Sequence, residues 1–235
     1  MRKKGLYERF LKRPLDSVAS LVALIFLSPV LLVVALLVRL KLGSPILFIQ
    51  ERPGKDEKIF RMYKFRTMTN EKDYLGMILP DEMRLTKLGE FLRKTSIDEL
   101  PELINILKGD MSLVGPRPQL VRDMVFMTSE QRGRHKVYPG LTGLAQVNGR
   151  NNISWEDKIH IDLKYLSNIS FSNDFKILIM TLLKVLKKEN VTTEGMETAE
   201  DLGDYLLRLG LIDKKLYEDK QAEAQRILSL YDSRC

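Results

Sequence analysis

Apolar and polar positions alternate differently along this chain. From Val18 to Val38 there are 21 residues without a charged side chain. Beyond Gly43-Ser44-Pro45 the pattern shortens: "ILFIQERPG" and "KIFRMYKFRTM" read as two strands joined by a turn over Pro53 and Gly54, a β-hairpin. Residues 81–94 alternate charged and apolar side chains at helical spacing. Leu100, Leu103, Ile104 and Leu107 fall at i, i+3, i+4 and i+7, which predicts a short helix that buries this face. Pro101 suits its first turn and Gly109 its end. "FKILIMTLLKVLKK", residues 175–188, predicts a helix too short to span a membrane. "DYLLRLGLIDKKLYEDKQAEAQRILSLY" predicts two amphipathic helices.

As a straight helix the Val18–Val38 run rises about 32 Å, close to the roughly 30 Å hydrocarbon thickness of a bilayer. A single span is therefore one reading. The flanks oppose it: Arg2, Lys3, Lys4, Arg9, Lys12 and Arg13 precede the run, Arg39 and Lys41 follow it, and basic residues prefer the cytoplasmic side. Pro29 has no N–H for the Ile25 carbonyl and crowds it, while the Ser28 hydroxyl can reach back to the Leu24 carbonyl. Together these features favour a membrane helix broken at Ser28-Pro29 that enters the bilayer and turns back. A cleaved signal peptide fits less well, because the apolar run is too long and no small-x-small site follows.

The rest is globular in composition, 44% hydrophobic and 29% charged over 235 residues, enough for one sizeable core. The expected fold is α+β and mostly helical. It divides into a basic N-terminus with the membrane helix (1–42), a compact domain (43–195) and a helical C-terminal tail (196–235). Cys235 is the single cysteine, so no disulfide framework forms, its position does not match prenylation, and a reducing compartment is expected. A formal charge of +7 calls for anionic partners: nucleic acid, lipid head groups or phosphorylated substrates. Nucleic acid is disfavoured, since no RNP-like aromatic pattern, zinc spacing or helix-turn-helix signature is present. A kinase or NTPase lacks its Walker lysine motif and Gly-rich loop. A membrane-anchored scaffold with a basic face stands as the non-enzymatic alternative.

The chemistry concentrates in "TSIDELPELINILKGDMSLVGPRP". Asp98 and Glu99 stand at a helix mouth, where adjacent side chains can converge on one ligand beyond the helix end. Capping alone would explain them, as a Ser96–Glu99 capping box with dipole-favoured acids. The chemical alternative is a carboxylate that attacks phosphorus beside one that holds Mg²⁺. Two acids repel a diphosphate, so cations are required, and Lys64, Arg66, Arg93, Arg117 and Arg150 are the candidates.

The Ser28-Pro29 break, "YKFRTM", "RKTSIDELPELINILKGDMSLVGPRP" and "YPGLTGLAQVNGRNNISWEDK" resemble the monotopic phosphoglycosyl transferases, the bacterial sugar transferase family, from about Tyr7 to Glu194. The resemblance implies a re-entrant membrane helix hairpin on the bacterial inner membrane with the catalytic domain on its cytoplasmic face. It implies Mg²⁺-dependent transfer of a sugar-1-phosphate from a UDP-sugar to undecaprenyl phosphate, with release of UMP. It makes Asp98 the nucleophile and Glu99 the metal-binding partner. Arg150 becomes a phosphate-binding arginine and Pro116-Arg117-Pro118 the nucleotide-sugar loop. A carboxylate nucleophile divides one displacement into two, so ping-pong kinetics follow. The pattern looks closest to members that use UDP-N,N′-diacetylbacillosamine, which favours that donor or a related N-acetylamino sugar; UDP-galactose and UDP-glucose are the alternatives.

Since the acceptor phosphate is already an anion, no strong base is needed, and His135 and His160 read as structural or surface residues. Residues 175–188 read as an interfacial helix with Lys176, Lys184 and Lys187 snorkelling, against a buried core helix. Trp155 and Tyr165 fit head-group level or the core equally. The tail's roles are packing, self-association into a homo-oligomer, or docking of a pathway glycosyltransferase.

Overall fold

A computed structural model describes residues 5–149, 153–187 and 200–233. A π-helical turn, Tyr7–Leu11, leads into the 31-residue helix α1, Lys12–Leu42. The break expected at Ser28-Pro29 is not an interruption: the helix continues through Pro29. The reason is local. The Ser28 hydroxyl donates to the Ile25 carbonyl at 2.8 Å, so the group that Pro29 orphans is served by its neighbour; the partner is Ile25, not the expected Leu24. Asp16, Ser20, Val34 and Val38 are buried, and Ala23, Leu24, Leu27, Leu31, Ala35 and Leu42 are half-buried between and beyond them. These positions recur every three or four residues, so one stripe of α1 rests on the protein along its whole length. The opposite side, including Val18, Ile25, Phe26, Val33 and Leu36, is exposed, and only 11% of its most apolar window, of mean hydropathy 3.1, is buried.

Strands β1, Leu47–Pro53, and β2, Ile59–Phe65, form the expected antiparallel hairpin, with Leu47 opposite Phe65. The turn between them is longer than Pro53-Gly54, continuing through a 3₁₀ turn, Lys55–Glu57. The helical pattern of residues 81–94 becomes two pieces, α2 (Asp81–Arg84) and α3 (Lys87–Thr95). They part at Thr86, whose hydroxyl accepts from Gly89 N at 3.0 Å and so starts a new helix. Helix α4, Glu102–Lys108, follows Pro101 and stops at Gly109, whose φ of +100° suits glycine.

The buried face of α4 is not the predicted one. Glu102, Leu103, Asn105 and Ile106 point inward, while Ile104 and Leu107 are 39% and 36% exposed. Asn105 decides the rotation. Its amide donates to Arg61 O (2.7 Å) and accepts from Tyr63 N (3.1 Å), stitching α4 to β2, so a polar residue takes a place that periodicity assigned to leucine.

A short parallel pair, β3 (Ser112–Val114) with β4 (Gly140–Thr142), was not anticipated. Around it lie α5 (Val121–Met124), α6 (Leu144–Asn148), α7 (Trp155–Ser167) and α8 (Phe171–Lys187). Buried Asp174 on α8 accepts from Tyr7 (2.9 Å), Tyr165 (2.8 Å) and Lys12 (2.5 Å), which ties the start of α1 to α8. Only Asp174 and Ile177 of α8 are buried, and Phe171, Phe175, Ile179, Leu182, Leu183 and Leu186 face outward. That pattern favours the interfacial reading over a core helix, although Lys184 is half-buried. Trp155 and Tyr165 belong to the core: the indole donates to Glu200 O (3.1 Å), and the phenol also reaches Val114 O (3.1 Å).

The tail contributes α9, Leu202–Arg208, and α10, Lys214–Asp232. Among its expected roles, packing is the one seen. Ala224 joins Val121, Met124 and Val125 in one buried cluster. Leu202 N donates to Asp123 Oδ1 at 2.9 Å, and Arg122 pairs with Asp201 at 2.6 Å. Gly203 meets the Phe126 ring so closely that a Cβ there would lie 2.5 Å from it. Gly203→Val should therefore push α9 off α5, costing about 1–3 kcal/mol and lowering the thermal midpoint. An unchanged midpoint in thermal unfolding would show that the tail is not docked here.

Candidate active site

Ser96 ends α3 in the left-handed region, with φ +55°, and turns the chain into a 3₁₀ turn, Ile97–Glu99, that runs straight into α4. Its side chain caps nothing, so the Ser96–Glu99 capping box does not form. Glu99 turns instead to cations. Its Oε1 accepts from Lys64 Nζ on β2 at 2.7 Å and from Arg117 Nη2 at 2.7 Å. The same Lys64 Nζ lies 3.2 Å from Oε1 of buried Glu102, so one ammonium serves two carboxylates. Asp98 is buried and its carboxylate accepts no hydrogen bond among the described residues.

Three acids thus share two close cations, and the shifts follow. Burial alone would raise Glu99, but Arg117 and Lys64 hold it far below the usual carboxylate range. Burial, then the like charge of Glu99, pushes Asp98 up to about 6. Burial, helped by Glu99 and opposed by Lys64, pushes Glu102 up to about 7. Asp98 is accordingly a buried carboxylate with no hydrogen-bond partner among the described residues, beside a fixed ion-pair cluster, and it does not cap a helix.

The other predicted residues divide. Lys64, Arg117, Asp98 and Glu99 come together. Arg93 stands near enough to lower the Asp98 pKa, and its Nε donates to Thr67 Oγ1 at 3.1 Å. Arg66 does not join them: it is buried and donates to the carbonyls of Pro45 (3.0 Å) and Met68 (3.4 Å), holding the β2 exit instead of a phosphate. Pro116 and Pro118 act through their carbonyls, accepting from Gly140 N (2.9 Å) and Arg52 (3.2 Å), and so fix the loop that carries Arg117. Arg134, itself paired with Asp162 at 2.6 Å, donates to Arg117 O at 2.7 Å. Arg150 lies outside the described residues. His135 is buried against Glu57, with its pKa pushed down to about 4 by burial and Arg134, and His160 is exposed.

Sequence reasoning missed Glu102 and Arg52. Glu102 had a signal, since it follows Glu99 by three residues and shares its helix side. Arg52 had none; its burial beneath the Pro116–Pro118 loop, lowering its pKa to about 10, is a tertiary fact. Among the described residues no three metal-ligating side chains form a ready-made cage. Two hard carboxylates still suit Mg²⁺, which keeps waters and takes further oxygens from substrate phosphates.

The profile described as bacterial sugar transferase matches residues 7–188. An uncharacterized sugar transferase, EpsL, of Bacillus subtilis is 53% identical over 190 residues, covering 81% of this chain and 94% of that one. A UDP-glucose:undecaprenyl-phosphate glucose-1-phosphate transferase of Klebsiella pneumoniae is 42% identical, over 74% of this chain and 39% of its own length. A UDP-N-acetylgalactosamine-undecaprenyl-phosphate N-acetylgalactosaminephosphotransferase of Aeromonas hydrophila is 38% identical, over 75% and 44%. The chain thus spans less than half of the last two.

The Glu102 carboxyl generates a pH prediction. Its folded pKa of about 7 exceeds the ordinary 4.5, so the folded protein keeps a proton that the unfolded chain releases, and stability falls as pH rises through that window. Relative to Glu102→Gln, the wild type should lose up to about 3 kcal/mol between the two values. Thermal unfolding of both proteins across this range checks it, and a pH-independent difference would mean that Glu102 is ionised when folded.

Proposed function

This chain belongs to the bacterial sugar transferase family, and on that premise we propose that it transfers a sugar-1-phosphate from a UDP-sugar to undecaprenyl phosphate, initiating glycoconjugate synthesis. The observation that carries the reading is the division of labour in the turn before α4: Glu99 is held by Lys64 and Arg117, while Asp98 is left with free oxygens. An Asp98 oxygen attacks the phosphorus that bears the sugar, the bond from that phosphorus to the bridging oxygen breaks, and UMP leaves with that oxygen. A phosphate oxygen of undecaprenyl phosphate then attacks the same phosphorus, breaks its bond to Asp98 and restores the carboxylate. Arg117 and Lys64 offset the charge that the diphosphate brings. When bound, Mg²⁺ would be held by Glu99 and Asp98 and would neutralise diphosphate charge.

Membrane placement follows from α1. One stripe of the helix is occupied by the domain from Asp16 to Leu42, and the other is apolar and bare, so the helix has a lipid-facing side without leaving the protein. This supports a monotopic attachment with the catalytic domain on the cytoplasmic face of the bacterial inner membrane, whereas a re-entrant hairpin needs a turn at Ser28-Pro29 that α1 does not make. The outward apolar face of α8 supports the same plane. For the donor, relatives name glucose and N-acetylgalactosamine. An N-acetylamino sugar such as N,N′-diacetylbacillosamine is the donor that the sequence motifs favour, with glucose and galactose as alternatives. A UDP-sugar panel read by UMP release decides.

Two measurements test the reading. Mass spectrometry of enzyme with UDP-sugar and Mg²⁺, but without acceptor, should show a sugar-phosphate adduct on the peptide containing Asp98, discharged by undecaprenyl phosphate. Asp98→Asn should abolish adduct and turnover, and Glu99→Gln should cost on the order of 10²-fold in rate; UMP release only in the presence of acceptor, with no adduct, would establish direct transfer. For topology, single cysteines at Gly5 and Phe48, in a chain whose Cys235 is replaced, should both react only from the cytoplasmic side. Labelling of one from the far side would establish a span.

A further inference from the structure

The start of α1 closes one side of a cavity of about 60 Å³ that the proposed reaction does not use. Lys12, Arg13, Lys55 and Lys136 line it, with Tyr138 at one wall, and Glu8 and Asp16 are the acids that face it. The charges do not balance. Lys12 is committed to Asp174 (2.5 Å) and Asp16 (3.8 Å), and Asp16 also accepts from the Ser112 hydroxyl at 2.5 Å. Arg13 spends its hydrogen bonds on the carbonyls of Met111 (2.8 Å) and Ile106 (2.7 Å), which satisfy its donors without cancelling its charge. Lys55 Nζ stands 4.8 Å and Arg13 Cζ 5.4 Å from the centre of the same Tyr138 ring, so two like charges share one aromatic partner. Neither they nor Lys136 pair with a carboxylate among the described residues.

A concave surface with excess positive charge concentrates an anion. By the usual measure of about 15 Å³ per water, the space equals about four water positions, the size of a tetrahedral oxyanion and too small for a nucleotide. The cavity is not the reaction site seen from behind. Arg13 binds the carbonyl of Ile106 at the last turn of α4, whereas Asp98 and Glu99 precede its first, and seven residues of helix separate the two ends by about 10 Å. Its surroundings indicate what carries the anion. Phe10, Leu11 and Leu15, on the adjoining turns, are exposed at 57%, 56% and 45%, and the uncharged run begins at Val18. An anion held here would therefore sit at the boundary between a basic pocket and a bare apolar helix face.

We propose that this cavity binds the phosphate of an anionic glycerophospholipid, whose acyl chains lie along the exposed side of α1 and fix the start of that helix at head-group depth. The inference rests on the membrane placement argued above. The full-length protein is mixed with vesicles of neutral phosphatidylcholine alone and with vesicles doped with phosphatidylglycerol. Wild type is compared with Lys55→Gln/Lys136→Gln, and with Lys214→Gln/Lys215→Gln on α10, which removes the same charge elsewhere.

Wild type should bind the neutral vesicles through α1 and the doped vesicles roughly tenfold more tightly, since each basic residue near an anionic surface contributes on this scale. The cavity variant should lose that preference and keep its binding to neutral vesicles. The α10 variant should retain both. A preference that survives in the cavity variant, or is lost equally in the α10 variant, means diffuse surface charge and overturns the site. Failure of the wild type on neutral vesicles overturns the membrane placement, and the site with it. In a separate arm, inorganic phosphate is added to detergent-solubilised protein. If phosphate raises its thermal midpoint only when Lys55 and Lys136 are intact, while doped vesicles show no preference, the cavity takes free phosphate and the lipid assignment falls.

Discussion

Three acids, Asp98, Glu99 and Glu102, crowd the turn before α4, and much of the fold is organised by how cations are brought to them. Lys64 and Arg117 face Asp98, Glu99 and Glu102, and both give their hydrogen bonds to Glu99. Supplying these cations requires two distant parts of the chain to arrive in register. Lys64 comes on β2, which α4 grips through Asn105, and Arg117 comes on a loop braced by Arg52 and Arg134. Arg134 is in turn neutralised by Asp162 on α7. Buried ion pairs of this kind add little net stability, since desolvation cancels most of the attraction, but breaking one leaves a charge that cannot be tolerated. Their contribution is to make a single arrangement acceptable.

The second organising demand falls on α1, which is packed along one stripe and bare along the other. A helix apolar on all sides would ordinarily be swallowed by a core or released into lipid. Here Ser20, Ala23, Leu27, Leu31, Ala35 and Val38 make up the stripe that touches protein, whereas Phe26, Leu32 and Leu36 face away. The Ser28 hydroxyl keeps the helix hydrogen-bonded across Pro29, so the stripe continues from one half to the other. The contact with the domain and the bare apolar face are therefore carried by one element, which fixes their mutual orientation.

What could be read from the sequence was whatever local chemistry governs. The β-hairpin announces itself by alternation, and the end of α4 by Gly109. The misreadings have tertiary causes. Ile104 and Leu107 were assigned inward because periodicity counts apolar residues, whereas Asn105 and Glu102 win the interior through partners on β2. Arg66 follows Lys64 by two residues, and strand alternation would put both on one face, but β2 ends at Phe65, so alternation no longer sets its direction and it serves backbone carbonyls instead of the site. The three-residue strands β3 and β4 are too short to leave a pattern, and their pairing is fixed by elements far apart in sequence.

The region matched by the family profile ends at residue 188, yet the protein does not end its core there. Buried Asp123 accepts from Leu120 N with one oxygen and from Leu202 N with the other. Its position, five residues past Pro118, places it at the root of the loop that presents Arg117. Cutting the chain back to the shared region would strip one partner from a carboxylate that is 2% exposed and bare the apolar side of α5 at the same moment. Any experiment that trims this protein to its family outline would then be measuring a different molecule, one in which the loop that carries Arg117 has lost part of its support.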